Sequence, residues 1–257
     1  MTVQKDPPDG RHSPDKAVTL PDWWEPLVTR ARSASTSTFT RLPTPTDGGR
    51  DSAVLVLLGE DGASGPDVLI LQRAATLRSH AGQPAFPGGV AEPEDVDSVD
   101  TALREANEEV GLDRRSVQVV ATLPQLWIPV SNYLVTPVLA WWREPHEVRP
   151  MDRREVDRVA RLPVAELVDP AHRLQVRHPS GWIGPAFRSR GMLVWGFTAG
   201  VLSALLEMGG WARPWPRDRV EELPIAGDQP LVSEPVGSET EVTDSADQAD
   251  TGQPPVP

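Results

Sequence analysis

Glu105, Glu108 and Glu109 occur at i, i+3 and i+4, a spacing that on an α-helix puts three carboxylates on one face. Carboxylates this close repel one another, which is costly unless a cation sits among them. Hard oxygen donors suit Mg²⁺ or Mn²⁺, so Glu105, Glu108 and Glu109 are the candidate metal ligands and catalytic carboxylates. Alone, the pattern also describes a solvated, glutamate-rich helix face. Just upstream lies FPGG, Phe86 to Gly89, followed by a loop carrying Glu92, Glu94 and Asp95. Paired glycines let a backbone come close to a ligand or turn sharply. Gly88 and Gly89 are therefore candidates for contact with phosphate oxygens that share the metal.

The helix that must carry these carboxylates is legible from its apolar stripe. Val99, Ala102, Leu103, Ala106 and Val110 fall on one side, Asp97 or Ser98 can cap the start, and Gly111 can end it. The carboxylate face lies roughly 120° round from that stripe. A second helix is expected from about Trp195 to Met208, buried through Trp195, Ala199, Leu202, Leu205 and Leu206 and stopped by Gly209-Gly210. Ser52 to Leu58 and Val68 to Arg73 read as a strand hairpin with a long connection, and Val117 to Leu123 and Leu134 to Trp142 as further strands. A short helix is expected at Asp22 to Arg32. Strands and helices in this order make a layered α/β domain.

With 257 residues the chain is long enough for one substantial core. Segments 1–19 and 220–257 are rich in Pro and polar residues and poor in large apolar ones, which predicts disorder on either side of a domain over 20–219. Nine acidic residues and no Lys or Arg follow Arg219, so without them the formal charge of −12 falls to −3. A net-negative chain lacks the electrostatic footprint of a nucleic-acid binder. The absence of cysteine excludes disulfides and thiolate metal sites. No apolar run follows the first charged residues, which points away from a signal peptide and to the cytoplasm. The uncharged run Gly191 to Leu206 is shorter than the roughly 20 apolar residues of a membrane span, so no membrane association is expected. A homodimer is left open.

The stretch GGVAEPEDVDSVDTALREANEEVGL, Gly88 to Leu112, resembles the Nudix box, a glycine pair and acidic loop followed by Arg-Glu, Glu-Glu and Gly at fixed offsets. Arg104, Glu105, Ala106, Glu108, Glu109, Gly111 and Leu112 fill its second half. Asp95 stands at the acidic loop position in place of Glu, and the loop to Arg104 is one residue longer than the commonest form. LILQRAATLRSHAGQPAFPGG, Leu69 to Gly89, is similar to the segment preceding the box in the coenzyme A pyrophosphatase-like branch: Arg73, Ala74, Arg78, Gly82, Phe86, Pro87, Gly88 and Gly89 match, with Leu71 replacing a Thr. Segments from Ser131, Arg154 and Met192 also resemble that branch, except that Asn132-Tyr133 replaces a Gly-aromatic pair.

The resemblance implies a Nudix-like α/β/α sandwich with a mixed β-sheet. It also implies a Mg²⁺- or Mn²⁺-dependent diphosphatase, with Glu105, Glu108 and Glu109 holding the metal. Arg73 and Arg78, from the branch-typical segment, would bind substrate phosphates, and Arg104 would fasten helix to loop; the alternative for each is a surface salt bridge. The general base lies on the box helix or in a later segment, where Glu155 is the candidate; its alternative is a surface pair with Arg153 or Arg158. Trp127, Trp141 and Trp142 are either adenine platforms or core. The implied substrate is a CoA-like nucleoside diphosphate, cleaved to 3′,5′-ADP and 4′-phosphopantetheine. The alternatives are a Nudix hydrolase of ADP-ribose or a dinucleotide, and a non-catalytic ligand-binding module.

Overall fold

The computed structural model describes residues 19–45, 48–60, 65–77 and 79–223. Arg78, most of the expected N-terminal segment and residues 224–257 of the expected tail lie outside the described residues. A 3₁₀ turn at Asp22–Trp24 opens α1 (Glu25–Ala31), followed by α2 (Thr36–Phe39). Strands β1 (Arg50–Glu60), β2 (Pro66–Arg73), β3 (Pro84–Ala85) and β4 (Gly88–Val90) then lead into α3 (Ser98–Val110). After it come β5 (Val117–Thr122), β6 (Leu126–Ile128), β7 (Tyr133–Trp142), β8 (Val156–Pro163) and α4 (Val164–Leu167). The chain continues through β9 (Arg173–Arg177), β10 (Ile183–Ser189), β11 (Met192–Val194), α5 (Gly196–Met208) and β12 (Val220–Glu222).

The main sheet has the order β3-β2-β1-β7-β5, with β4 on β1, β6 on β7 and β8 on β2. It is mixed, because β1 and β7 run parallel, from Arg50 opposite Tyr133 to Leu58 opposite Trp141, while the other pairings are antiparallel. The run SAVLVLL does not alternate apolar with polar because both faces of β1 are covered. Ala53, Leu55 and Leu57 pack with Ala102, Leu103, Ala106 and Val110 of α3. Val56 and Leu58 join Leu27 of α1 and Leu202 and Leu205 of α5 on the other side. Each such fully buried Leu or Val side chain stabilises the fold by roughly 1.5–3 kcal/mol. The architecture is the α/β/α sandwich with a mixed sheet that the sequence implied.

Three features go beyond the sequence reading. Residues 173–194 and 220–222 form a second sheet, β11-β10-β9-β12, which their interspersed Arg, Pro and Gly residues concealed. Helix α5 buries more than one stripe, with Thr198, Val201, Ala204 and Met208 enclosed as well, because it packs between the main sheet and β10. The packed domain also runs past the expected boundary at 219. Val220–Glu222 pair in parallel with β9, and Leu223 is buried with Leu174, Val176 and Ala186. Arg219 donates to Ala171 O (2.9 Å), and Glu221 pairs with Arg188, so a hydrogen bond and an ion pair accompany the ladder. Among the described residues no helix is long and apolar enough to cross a membrane.

Candidate active site

Both ends of α3 are fixed by local chemistry. The Asp97 side chain accepts from the Val99 and Asp100 N–H groups, each at 2.9 Å, satisfying donors that the first turn cannot. At the other end Gly111 takes the left-handed conformation, φ 71°, and donates to Asn107 O at 2.9 Å. The apolar stripe then seats the helix on β1, and its polar face meets β4.

That meeting depends on two glycines. A Cβ on Gly88 would stand 2.6 Å from Val54 Cα and closer still to Ala53 O, and the residue has φ +156°. A Cβ on Gly89 would stand 2.5 Å from Glu105 Cδ. Only hydrogen at these positions lets β4 pair with β1 while the Glu105 carboxylate lies against the strand. The Gly88 N–H donates to Glu109 Oε2 at 3.0 Å, so it anchors a carboxylate and is not free to meet a phosphate.

Arg104 organises the remaining acids. Its Nε and Nη2 donate to the two oxygens of Asp95 at 2.9 and 3.0 Å, and Nη2 also reaches Val90 O at 3.1 Å. Its Nη1 lies 3.1 Å from Glu105 Oε1 and 3.0 Å from Glu108 Oε2. The planar fork thus joins loop, strand and helix, a geometry that lysine cannot supply. Asp95, with Arg104 as its chief partner and the Glu92 N–H and Thr101 hydroxyl as further donors, is held well below the usual carboxylate range.

Glu109 is 7% exposed, and burial pushes its carboxyl up to about 7 against the opposing pull of the Gly88 N–H and Arg73. Burial raises Glu105 as well, with Arg104 opposing. Arg73 ends β2 at a bulge, its Nη1 3.8 Å from Glu109 Oε1 and its Nε buried without a hydrogen-bond partner. Glu155, in the turn before β8, is exposed. Its carbonyl accepts from the Ala74 N–H (2.8 Å), and its charge is near enough to add to the raising of Glu109. The arginines that were its surface alternative are engaged elsewhere: Arg153 with Asp157 O, and Arg158 with Gln72, Arg190 and Gly191.

The structure therefore gathers Arg73, Gly88, Gly89, Glu105, Glu108, Glu109 and Glu155 around one end of α3, while Arg78 lies outside the described residues. Among the described residues no three acidic or imidazole side chains are close enough together to hold a metal ion, since Glu105 and Glu108 are turned to Arg104 Nη1. The donor set nonetheless suits a hard divalent cation: three carboxylates on successive turns, two of them raised by burial, carry negative charge that a cation would relieve.

Trp142 is core, 1% exposed, with Nε1 donating to Ser116 Oγ at 3.2 Å, and Trp141 packs against the core. Trp127 Nε1 donates to Asn132 Oδ1 at 3.2 Å. Asn132 sits at φ 53°, a conformation Asn tolerates, so the replacement of Gly is absorbed without disturbing the turn into β7.

Residues 49–181 match the NUDIX domain family. A protein described as uncharacterized Nudix hydrolase NudL from Photorhabdus laumondii is 38% identical over 145 residues, covering 55% of this chain and 76% of that protein. Its namesake from Escherichia coli is 36% identical over 149 residues, covering 56% and 76%. Among solved structures, a Nudix hydrolase from M. smegmatis, RenU, aligns at 18% identity with a TM-score of 0.43, covering 70% of this chain and 97% of that one.

Proposed function

Because this chain belongs to the Nudix hydrolase family, and so is a pyrophosphohydrolase of nucleoside diphosphate derivatives, we propose that its substrate is coenzyme A or an acyl-CoA, cleaved to 3′,5′-ADP and a 4′-phosphopantetheine product. One observation carries this reading. In the segment that resembles the CoA-type branch, β4 lies directly against the box helix and Arg73, at the end of β2, sits beside Glu109.

In this reading Glu105, Glu108 and Glu109 hold Mg²⁺ or Mn²⁺, which supplies positive charge against the diphosphate oxygens and the charge that builds during displacement. Arg73, whose Nε lacks a partner, binds a phosphate oxygen of the substrate. Gly89 keeps Glu105 against β4, and Gly88 fixes the Glu109 carboxylate through its N–H. Water attacks phosphorus, the bridging P–O bond breaks, and the released oxygen leaves on the other phosphorylated half. The proton lost by the water goes to a carboxylate. Glu155, exposed beside the site and outside the three metal-holding carboxylates, is the candidate for that base. A second reading, hydrolysis of ADP-ribose or a dinucleotide, has its footing in Asn132-Tyr133, where this chain departs from the CoA-type pattern.

The test is turnover of the purified chain with Mg²⁺ or Mn²⁺ against CoA, ADP-ribose and NADH, with Glu108→Gln as control. CoA should be preferred, and the substitution should lower turnover about 10²–10⁴-fold, the scale of a lost catalytic carboxylate. Preference for ADP-ribose or NADH would replace the substrate assignment, and an unaffected Glu108→Gln would remove that residue from the site.

A further inference from the structure

On the α5 side of the main sheet lies a cavity of about 690 Å³ lined by residues of α2, β6, β9, β10 and α5 and by Trp215 and Arg217. None of the residues gathered at the end of α3 lines it. Its size falls within the roughly 300–1,000 Å³ of small-molecule sites.

The wall contains a buried cation that forms no ion pair among the described residues, its acidic neighbour Glu207 acting from farther off. Arg173 is 4% exposed, and its guanidinium is sandwiched between Phe187 and Trp215, each ring centroid at 4.7 Å. Nη2 donates to Ser203 Oγ at 3.1 Å, and Nε has no hydrogen-bond partner. Buried charges are ordinarily paired. Arg217, over the same Trp215 ring at 5.4 Å from its centroid, adds a second positive charge. Burial, followed by this neighbour, pushes the Arg173 guanidinium down to about 10 against the pull of Glu207. Arg41 also lines the cavity, against Glu207 as the acidic residue of the wall.

The rest of the lining favours a flat body. The cavity runs along one side of α5, from Gly196 and Phe197 in its uncapped first turn to Glu207 in its last. Trp127 and Trp182 supply aromatic surface that accepts a planar ring, while Trp215 carries the two guanidiniums. Along the floor, a Cβ on Gly196 or Gly200 would meet nothing within 4 Å; the helix leaves space there.

We propose that this cavity binds a small organic anion carrying a planar ring, with Arg173 and Arg217 taking its charge and the Trp walls its ring. The ligand is either the far end of the diphosphate substrate or a separate small molecule; the chemistry is the same. The site does not depend on the substrate assignment above, and its failure would leave that assignment standing.

The experiment is calorimetric titration of AMP, with inorganic phosphate as the ring-free comparison, into the full chain in EDTA. Wild type should bind AMP and bind phosphate more weakly. Gly200→Leu, which fills the open floor, should abolish AMP binding without lowering Tm. Arg217→Gln, at an exposed cation, should weaken it about tenfold, the effect of one charge-assisted contact. No AMP binding by wild type, or equal binding by wild type and Gly200→Leu, would overturn the proposal. Titrating ADP-ribose with Mg²⁺ into Glu108→Gln then identifies the source. One equivalent displaced by AMP marks the cavity as the far end of the substrate site, and a second equivalent marks it as separate.

Discussion

On the α3 side of the sheet, added methyl groups at Gly88 and Gly89 would collide with Ala53, Val54 and Glu105, whereas on the α5 side Gly196 and Gly200 face open space. Charge divides the same way. At α3, one guanidinium is shared among Asp95, Glu105 and Glu108, and carboxylates are in excess; at α5, a buried guanidinium has aromatic rings and one hydroxyl for company. An excess of acids in a tightly packed frame calls for a cation held in fixed geometry. An unpaired cation in a roomy aromatic cavity calls for an anion that brings its own bulk.

Gly88→Ala tests the tight side with the largest expected effect. Its Cβ meets backbone, which cannot swing aside, so the variant should lose about 1–3 kcal/mol of stability in denaturant unfolding. Gly89→Ala meets only the end of the Glu105 side chain, so it should melt near wild type yet turn over diphosphate substrates about 100-fold more slowly, as expected for a misplaced catalytic group. Equal behaviour of the two variants would show that the frame, and not the carboxylate position, is what the glycine pair protects.

The excess of acids predicts a pH dependence. With its carboxyl raised from 4.5 to about 7, Glu109 keeps in the folded protein a proton that the unfolded chain releases. The metal-free protein should therefore lose stability as pH rises from about 4.5 through about 7. A divalent cation takes the ionised carboxylate, so thermal melts with and without Mg²⁺ should show a larger stabilisation at pH 8 than at pH 5.5. Identical shifts at both values would mean that Glu109 does not ligate.

The smallest effect belongs to the roomy side. Gly200→Ala should raise stability by about 0.5–1 kcal/mol, since it replaces a helix-interior glycine where nothing is crowded. A loss of stability would show that the cavity is narrower than drawn and would blunt the comparison.

Much of the α3 side was legible from residue order. The helix and its Asp97 and Gly111 ends follow from local periodicity and capping, and the glycine pair and the role of Arg104 from the resemblance of the same 24 positions to the Nudix box. The Asn132 turn was readable for the same reason. The α5 side was not. Nothing in RLQVR or in WPR marks a site, because Arg173, Ser203 and Trp215 meet only after β9, α5 and the segment before β12 pack together. The end of the domain was misplaced for a related reason, since Leu223 looks like tail until β9 offers it a partner and a pocket.

The sequence by itself determined the box helix, the chemical character of its carboxylates and the layered α/β class, because helical period, capping and residue type act over a few neighbouring positions. Tertiary structure decided the rest. It bound the Gly88 N–H to Glu109, raised that carboxyl by burying it, turned Glu105 and Glu108 to Arg104, and enclosed Arg173 between aromatic rings. Burial and pairing depend on which distant segments share a surface, and the order of residues does not state that until the sheets and helices have closed over one another.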